Sequence, residues 1–242
     1  MDTQKYATDR VAVVTGASAG IGHATAERLA NDGYTVWAAA RRTELLEKLA
    51  AEFPPGTVIA APIDLARPSE VERLVSRIRR QTPVVHALIH SAGSYSYGAI
   101  ADTTPAPLRR HYEVNVESVY RLTHDLLPLM ADPADVVFLN STQGLHAAGT
   151  VSQFAASMHA RKALADALRQ EVNDRGIRVV SIHLGRTATP LQQWIYESHG
   201  WRYQPELLLQ SEEVATMIAT IIGLPRTAEV TDVNMRPAIK SY

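Results

Sequence analysis

Six short stretches of the chain are apolar at nearly every position: VAVVTG, TVWAAA, TVIAAP, VVHALIHSAG, ADVVFLNS and RVVSIHLG. A strand with one wet face alternates apolar and polar residues, whereas a strand covered on both faces is apolar throughout. These runs therefore predict buried strands. Between them lie longer helical stretches, over residues 20–32, 43–52, 68–81, 105–131, 151–175 and 211–223, and TAEVTDVNMRP can add a seventh strand. Strands alternating with helices imply right-handed crossovers and a doubly wound, Rossmann-type parallel sheet of about seven strands, with helices on both faces. No linker rich in proline or glycine divides the chain and no internal repeat is evident, so residues 1–242 are expected to form one domain.

Composition narrows the function classes. Hydrophobic residues make up 46% and charged residues 20% of the 242, enough to build a single large core. A net charge of -1 supplies neither a basic footprint for nucleic acid nor a polybasic membrane patch. With no cysteine, disulfides, thiolate catalysis and thiolate-bound metals are excluded, and no metal site is expected. MDTQKYATDR lacks the apolar core of a signal peptide and no run reaches membrane-spanning length, so a cytoplasmic protein is expected.

In a doubly wound sheet, chemistry collects at the carboxyl ends of the strands. After the first run comes TGASAGIGHATAERLA, with Gly16, Gly20 and Gly22 between strand and helix and Ser18 inside the turn. Glycines there permit a tight turn and let a pyrophosphate approach the N–H groups of a helix start. The second run ends in AAARR. Folds that bind a free ribose 2′-hydroxyl commonly place a carboxylate here, but this chain has Ala40, then Arg41 and Arg42. A guanidinium can grip a 2′-phosphate with two parallel hydrogen bonds. Arg41 is the favoured contact, Arg42 being equally suited to a solvated helix start, and the expected cofactor is NADP(H) rather than NAD(H).

From about residue 9 onward the chain resembles the classical short-chain dehydrogenase/reductase family. The resemblance rests on Thr15, Gly16, Gly20, Ile21 and Gly22, on Asp64 and Leu65 of IDL, on Ala92 and Gly93 of HSAG, on Asn115 of EVNVES, on Ser141 of LNSTQG, and on Gly185, Thr187 and Thr189 of HLGRTATP. It implies adenine contacts for Asp64 and Leu65, and carboxamide and phosphate contacts for Gly185, Thr187 and Thr189. It further implies that Asn115 holds a helix kink and a relay water, and that Ser141 bonds the substrate oxygen. His90, Ser91 and Leu184 depart from the family pattern.

One departure is larger. The family carries a tyrosine thirteen residues after the serine and a lysine four residues later; here those positions are Phe154 and Met158. Residues four apart share a helix face. Phenylalanine has no proton to give, and methionine has neither charge nor donor. Lys162 lies eight residues beyond Phe154, about 12 Å along the axis, and His159 points about 100° away from Met158. Candidate substitute donors are Tyr95, Tyr97 and His146, with Tyr196, His199 and Tyr203 in an aromatic-rich segment, expected to form a substrate lid around 187–210.

The leading expectation is an atypical NADP(H)-dependent reductase. Its acceptor would need no tyrosine acid, such as an iminium or a conjugated double bond, and would bind in a largely apolar pocket. Two other classes stay open: a non-redox isomerase, dehydratase or cyclase on the same scaffold, and a catalytically silent NADP(H)-binding protein. Fold alone does not choose among them. A homodimer or homotetramer is expected, since family members pair the long helices over 105–131 and 151–175.

Overall fold

The computed structural model describes residues 10–239. Each of the six apolar runs forms a strand: β1 (Val11–Thr15), β2 (Thr35–Ala40), β3 (Val58–Pro62), β4 (Val85–His90), β5 (Met130–Ser141) and β6 (Arg178–Leu184). The intervening helices are α1 (Gly20–Asn31), α2 (Thr43–Ala51), α3 (Pro68–Gln81), α4 (Ala106–Tyr112), α5 (Ser118–Leu126) and α6 (Ser152–Val172). After β6 come a two-residue strand β7 (Thr187–Ala188), α7 (Pro190–Ser198), a second short strand β8 (Leu209–Gln210), α8 (Ser211–Ile222) and β9 (Asp232–Met235).

The main sheet is parallel, in the order β3-β2-β1-β4-β5-β6-β9. Successive residues of a strand face opposite sides, and here both sides are covered. Ala12 and Val14 of β1 pack in a cluster with Leu29 of α1, Leu46 of α2 and Ile218 of α8. Val11 and Val13 pack on the other face with Leu74 of α3, Leu122 of α5 and Leu168 of α6. That is why the runs are apolar without alternation. At the far end of the sheet, Asp135 accepts hydrogen bonds from Arg178 Nε at 2.8 Å and Arg226 Nη2 at 2.9 Å. Arg178 also donates to the carbonyls of Leu224 and Ala228, fixing the return that lays β9 beside β6.

Two regions differ from the pattern. The helix expected over 105–131 is not continuous: a five-residue π turn, Glu113–Glu117, separates α4 from α5, and β5 begins at Met130. The π turn is held by contacts distant in sequence, because Asn115 bonds both backbone polar groups of Ser94. Periodicity cannot register such a constraint. The segment around 187–210 gains a helix that the periodicity did not assign, with Thr189 capping α7 and Pro190 in its first turn. Its two ends are tied by the parallel pairing of β7 with β8.

Candidate active site

The chain leaves β1 toward β2 and β4 toward β5, in opposite directions from neighbouring strands. A crevice opens beyond the carboxyl ends of such a pair. In this protein it is a cavity of about 1010 Å³. The glycine turn forms one side. Gly16 has φ +72° and Gly20 φ +55°, and a Cβ on Gly22 would stand 2.4 Å from the Gly16 carbonyl oxygen, so no larger residue fits there. Thr15 Oγ1 accepts the N–H groups of Ser91 and Ala92 at 3.0 and 3.1 Å, binding this turn to the end of β4. No side chain caps α1, which leaves its first N–H groups directed at the cavity as an anion cradle.

The remaining residues assigned to a cofactor border the same space: Ser18, Ile21, Arg41, Arg42, Asp64, Leu65, Ala92, Gly93, Gly185, Thr187 and Thr189, with Thr189 packed close against Gly20. Arg42 is more than a solvated helix start. Its Nε and Nη2 donate to Ser18 Oγ at 3.3 and 3.1 Å, which sets its guanidinium at the glycine turn beside Arg41.

α6 supplies the other wall. Phe154, Met158 and Arg161 follow one another at helical spacing and all line the cavity. Arg161 was missed from the sequence, although a cation seven residues after Phe154 and three after Met158 falls on their stripe. It is 2% exposed. Its Nε donates to the Asn115 carbonyl at 2.9 Å, Nη1 to that of Leu139 at 2.7 Å and Nη2 to that of Ala92 at 3.0 Å. Burial lowers its pKa to about 10, so the group remains a cation at neutral pH. It joins the end of β5, the loop after β4 and the π turn in one knot.

Asn115 lies beneath the cavity, fully buried. Its Oδ1 accepts from Ser94 N at 2.7 Å, and its Nδ2 donates to Ser94 O and Ser157 Oγ, each at 3.0 Å. Ser141 ends β5 on the cavity wall, with Oγ accepting from Gln143 N at 3.1 Å. His90 is buried under Phe138, its rings 5.0 Å apart, with Nε2 on Thr123 Oγ1 at 2.8 Å. Burial first, and the Arg161 charge second, push its pKa down to about 3.

The substitute donors separate in space. His146 is exposed and does not line the cavity. Tyr95 does line it, packing edge-on against Phe154 at 5.1 Å, and burial raises its phenol pKa, with Tyr97 adding to the rise and Arg186 opposing it. Tyr97 stands at the mouth, 45% exposed, its ring perpendicular to His199 at 4.2 Å. His199 stacks on Trp201, and Tyr196 packs against Trp201 and Tyr203. Lys162 bonds Asp166 at 2.6 Å and His159 is exposed on its own helix, so neither joins the site. Sequence reasoning also passed over His111, buried behind Phe154 with ring centroids 6.0 Å apart.

Residues 10–199 match the family model for short chain dehydrogenase, and the chain belongs to that family. Among its relatives is dehydrogenase/reductase SDR family member 11 of Gallus gallus, 30% identical over 246 residues, covering 95% of this chain and 96% of that protein. An actinorhodin polyketide ketoreductase variant solved with NADPH superposes with a TM-score of 0.85 at 27% identity, over 94% of this chain and 97% of that one. The closed form of a serine dehydrogenase complexed with NADP+ has a TM-score of 0.88 at 21% identity, over 96% of each chain; at that identity the likeness concerns the fold. Among the described residues, no helix is long and apolar enough to cross a membrane.

Proposed function

We propose that this protein is an NADP(H)-dependent oxidoreductase that reduces an acceptor needing no tyrosine acid, an iminium or a conjugated double bond, in a largely apolar pocket. One observation carries the reading: one and the same cavity is lined by a glycine turn with two arginines and by Phe154 and Met158. The residues present fit the cofactor. The uncapped start of α1 suits a pyrophosphate, and Arg41 and Arg42, with no carboxylate at Ala40, suit a 2′-phosphate. Bound there, NADPH supplies a hydride.

Phe154 and Met158 occupy the positions at which the family carries its tyrosine and lysine. Reducing a ketone requires a proton as the alkoxide forms, and losing a general acid costs about 10²–10⁴-fold in rate. An iminium carbon is already electrophilic and yields a neutral amine directly. Ser141 orients the acceptor, while the Phe154 ring and Met158 exclude water from it. Residues 187–210, rich in aromatic side chains, act as a substrate lid over the single domain. The long helices α4–α5 and α6 pair across a two-fold axis in a homodimer or homotetramer, so light scattering at micromolar concentration is expected to show no monomer.

A single-turnover experiment tests the reading. NADPH is loaded, candidate acceptors are added, and absorbance and product mass are followed together. Loss of NADPH matched to a product heavier by one hydrogen for an iminium, or by two for a conjugated double bond, supports reduction. A changed product with NADPH intact would assign a non-redox enzyme, and neither change would assign a binding protein.

A further inference from the structure

His111, on α4, is 1% exposed and sits between two serine hydroxyls. Its Nδ1 lies 2.8 Å from Ser94 Oγ and its Nε2 2.7 Å from Ser96 Oγ. A neutral imidazole has one donor and one acceptor nitrogen, so one serine gives a hydrogen bond to the ring and the other receives one. The two ends of this chain differ. Ser94 lines the cavity beside Tyr95, whereas Ser96 lies outside the lining and is only half-buried. The backbone of Ser94 is itself pinned by Asn115 at 2.7 and 3.0 Å, and the Phe154 ring packs edge-on over the imidazole. The ring is therefore held at both nitrogens and on one face.

We infer that Ser96, His111 and Ser94 form a proton relay from solvent to the cavity, supplying the proton for a conjugated acceptor. The inference rests on the reductase reading and names the route that reading leaves open. In the resting chain, Ser96 donates to Nε2, Nδ1–H donates to Ser94 Oγ, and the Ser94 hydroxyl hydrogen is directed into the cavity. When hydride from NADPH adds to the β-carbon of an enone, the double-bond pair moves toward the carbonyl as an enolate. The Ser94 O–H bond then breaks and its proton goes to the enolate. Ser94 takes the Nδ1 proton, Nε2 takes the Ser96 proton, and Ser96 takes one from water. The net change is acceptor, NADPH and one solvent proton to saturated product and NADP+. Burial lowers the His111 pKa more than hydrogen bonding with the Ser94 backbone raises it, which suits a ring that passes protons while staying neutral on average.

Two readouts test this. ¹⁵N NMR of the protein with NADPH, assigned by the signals lost in His111→Asn, is expected to show a neutral ring with its proton on Nδ1; a cationic ring or an Nε2 proton would overturn the relay. Reduction is then followed with 2-cyclohexen-1-one, which needs a proton, and with N-methyl-3,4-dihydroisoquinolinium, which needs none. His111→Asn and Ser96→Ala are expected to slow the enone at least tenfold more than the iminium and to change the enone's solvent isotope effect, with Ser96→Thr restoring both. Equal effects on the two acceptors would overturn the relay while leaving the reductase reading intact. If the wild type consumes NADPH with neither acceptor, the reductase reading falls and the relay with it. Ser96→Ala, at a half-buried site, keeps the test available if His111→Asn does not fold.

Discussion

Arg161 Nε donates to the main-chain oxygen of Asn115 at 2.9 Å, joining the middle of α6 to the π turn. With Leu139 O and Ala92 O also on this guanidinium, Arg161→Leu leaves three carbonyls without their donor. Each such loss costs about 1–3 kcal/mol. The expected result is a destabilisation of about 3 kcal/mol or more, and at about 2–4 °C per kcal/mol for a domain of this size a Tm lower by about 6 °C or more. Calorimetry checks it, and Arg161→Lys is expected to fall between the two proteins.

His90 sets a limit at acid pH. Its folded pKa is about 3, against 6.5 for the unperturbed group, so between these values the unfolded chain binds a proton that the native chain refuses. Stability therefore falls as pH drops from 6.5 toward 3, by up to about 1.4 kcal/mol per pH unit from this group. His90→Asn is expected to flatten that limb in urea titrations run from pH 7 to pH 4. An unchanged slope would remove His90 as its source.

NADPH is expected to bind more tightly than NADH. Because Arg42 is anchored to Ser18, Arg42→Ala should weaken NADPH by about 1.5–3 kcal/mol, the worth of a charge-assisted bond, and barely affect NADH. Arg41→Ala is expected to act in the same direction. Fluorescence titration with both cofactors measures it; equal affinities in the wild type would dismiss the 2′-phosphate contact.

Phe154→Tyr with Met158→Lys places a phenol and an ammonium on the α6 stripe, and the double variant is expected to gain NADPH-dependent ketone reduction that neither single change gives. The new ammonium would lie one turn from the Arg161 guanidinium, and like charges in a buried site disfavour the charged lysine. A wild type that already reduces simple ketones as fast as the double variant would mean that the cavity already protonates the alkoxide without a phenol at residue 154.

The central strands were legible because they are covered on both faces, so burial is written into every position from Val11 to Thr15 or from Val179 to Leu184. The glycine turn was legible because φ near +60° and a 2.4 Å clearance admit one residue type. The interruption of the helix at Glu113–Glu117 was not, since it depends on Ser94, twenty-one residues away in sequence. Arg161 was spaced to be found, but an arginine within a helix reads as a solvated face, and nothing local indicates that three carbonyls converge on it. His111 was hidden for the same reason: its partners come from a loop without periodicity.

The aromatic segment beyond β6 also gives the chain an optical gauge. Of its three tryptophans, Trp37 is fully buried in the sheet with Nε1 on Thr82 Oγ1, a fixed reference that emits from a dry environment. Trp194 is 54% exposed on α7, and Trp201, 45% exposed, lines the cavity and stacks on His199 at 4.5 Å. A molecule bound at the end of the cavity lined by Trp201 changes the surroundings of that indole and with them its emission. Occupancy of the space beside Trp201 can thus be read by light from the unlabelled protein, with Trp37 as the internal standard.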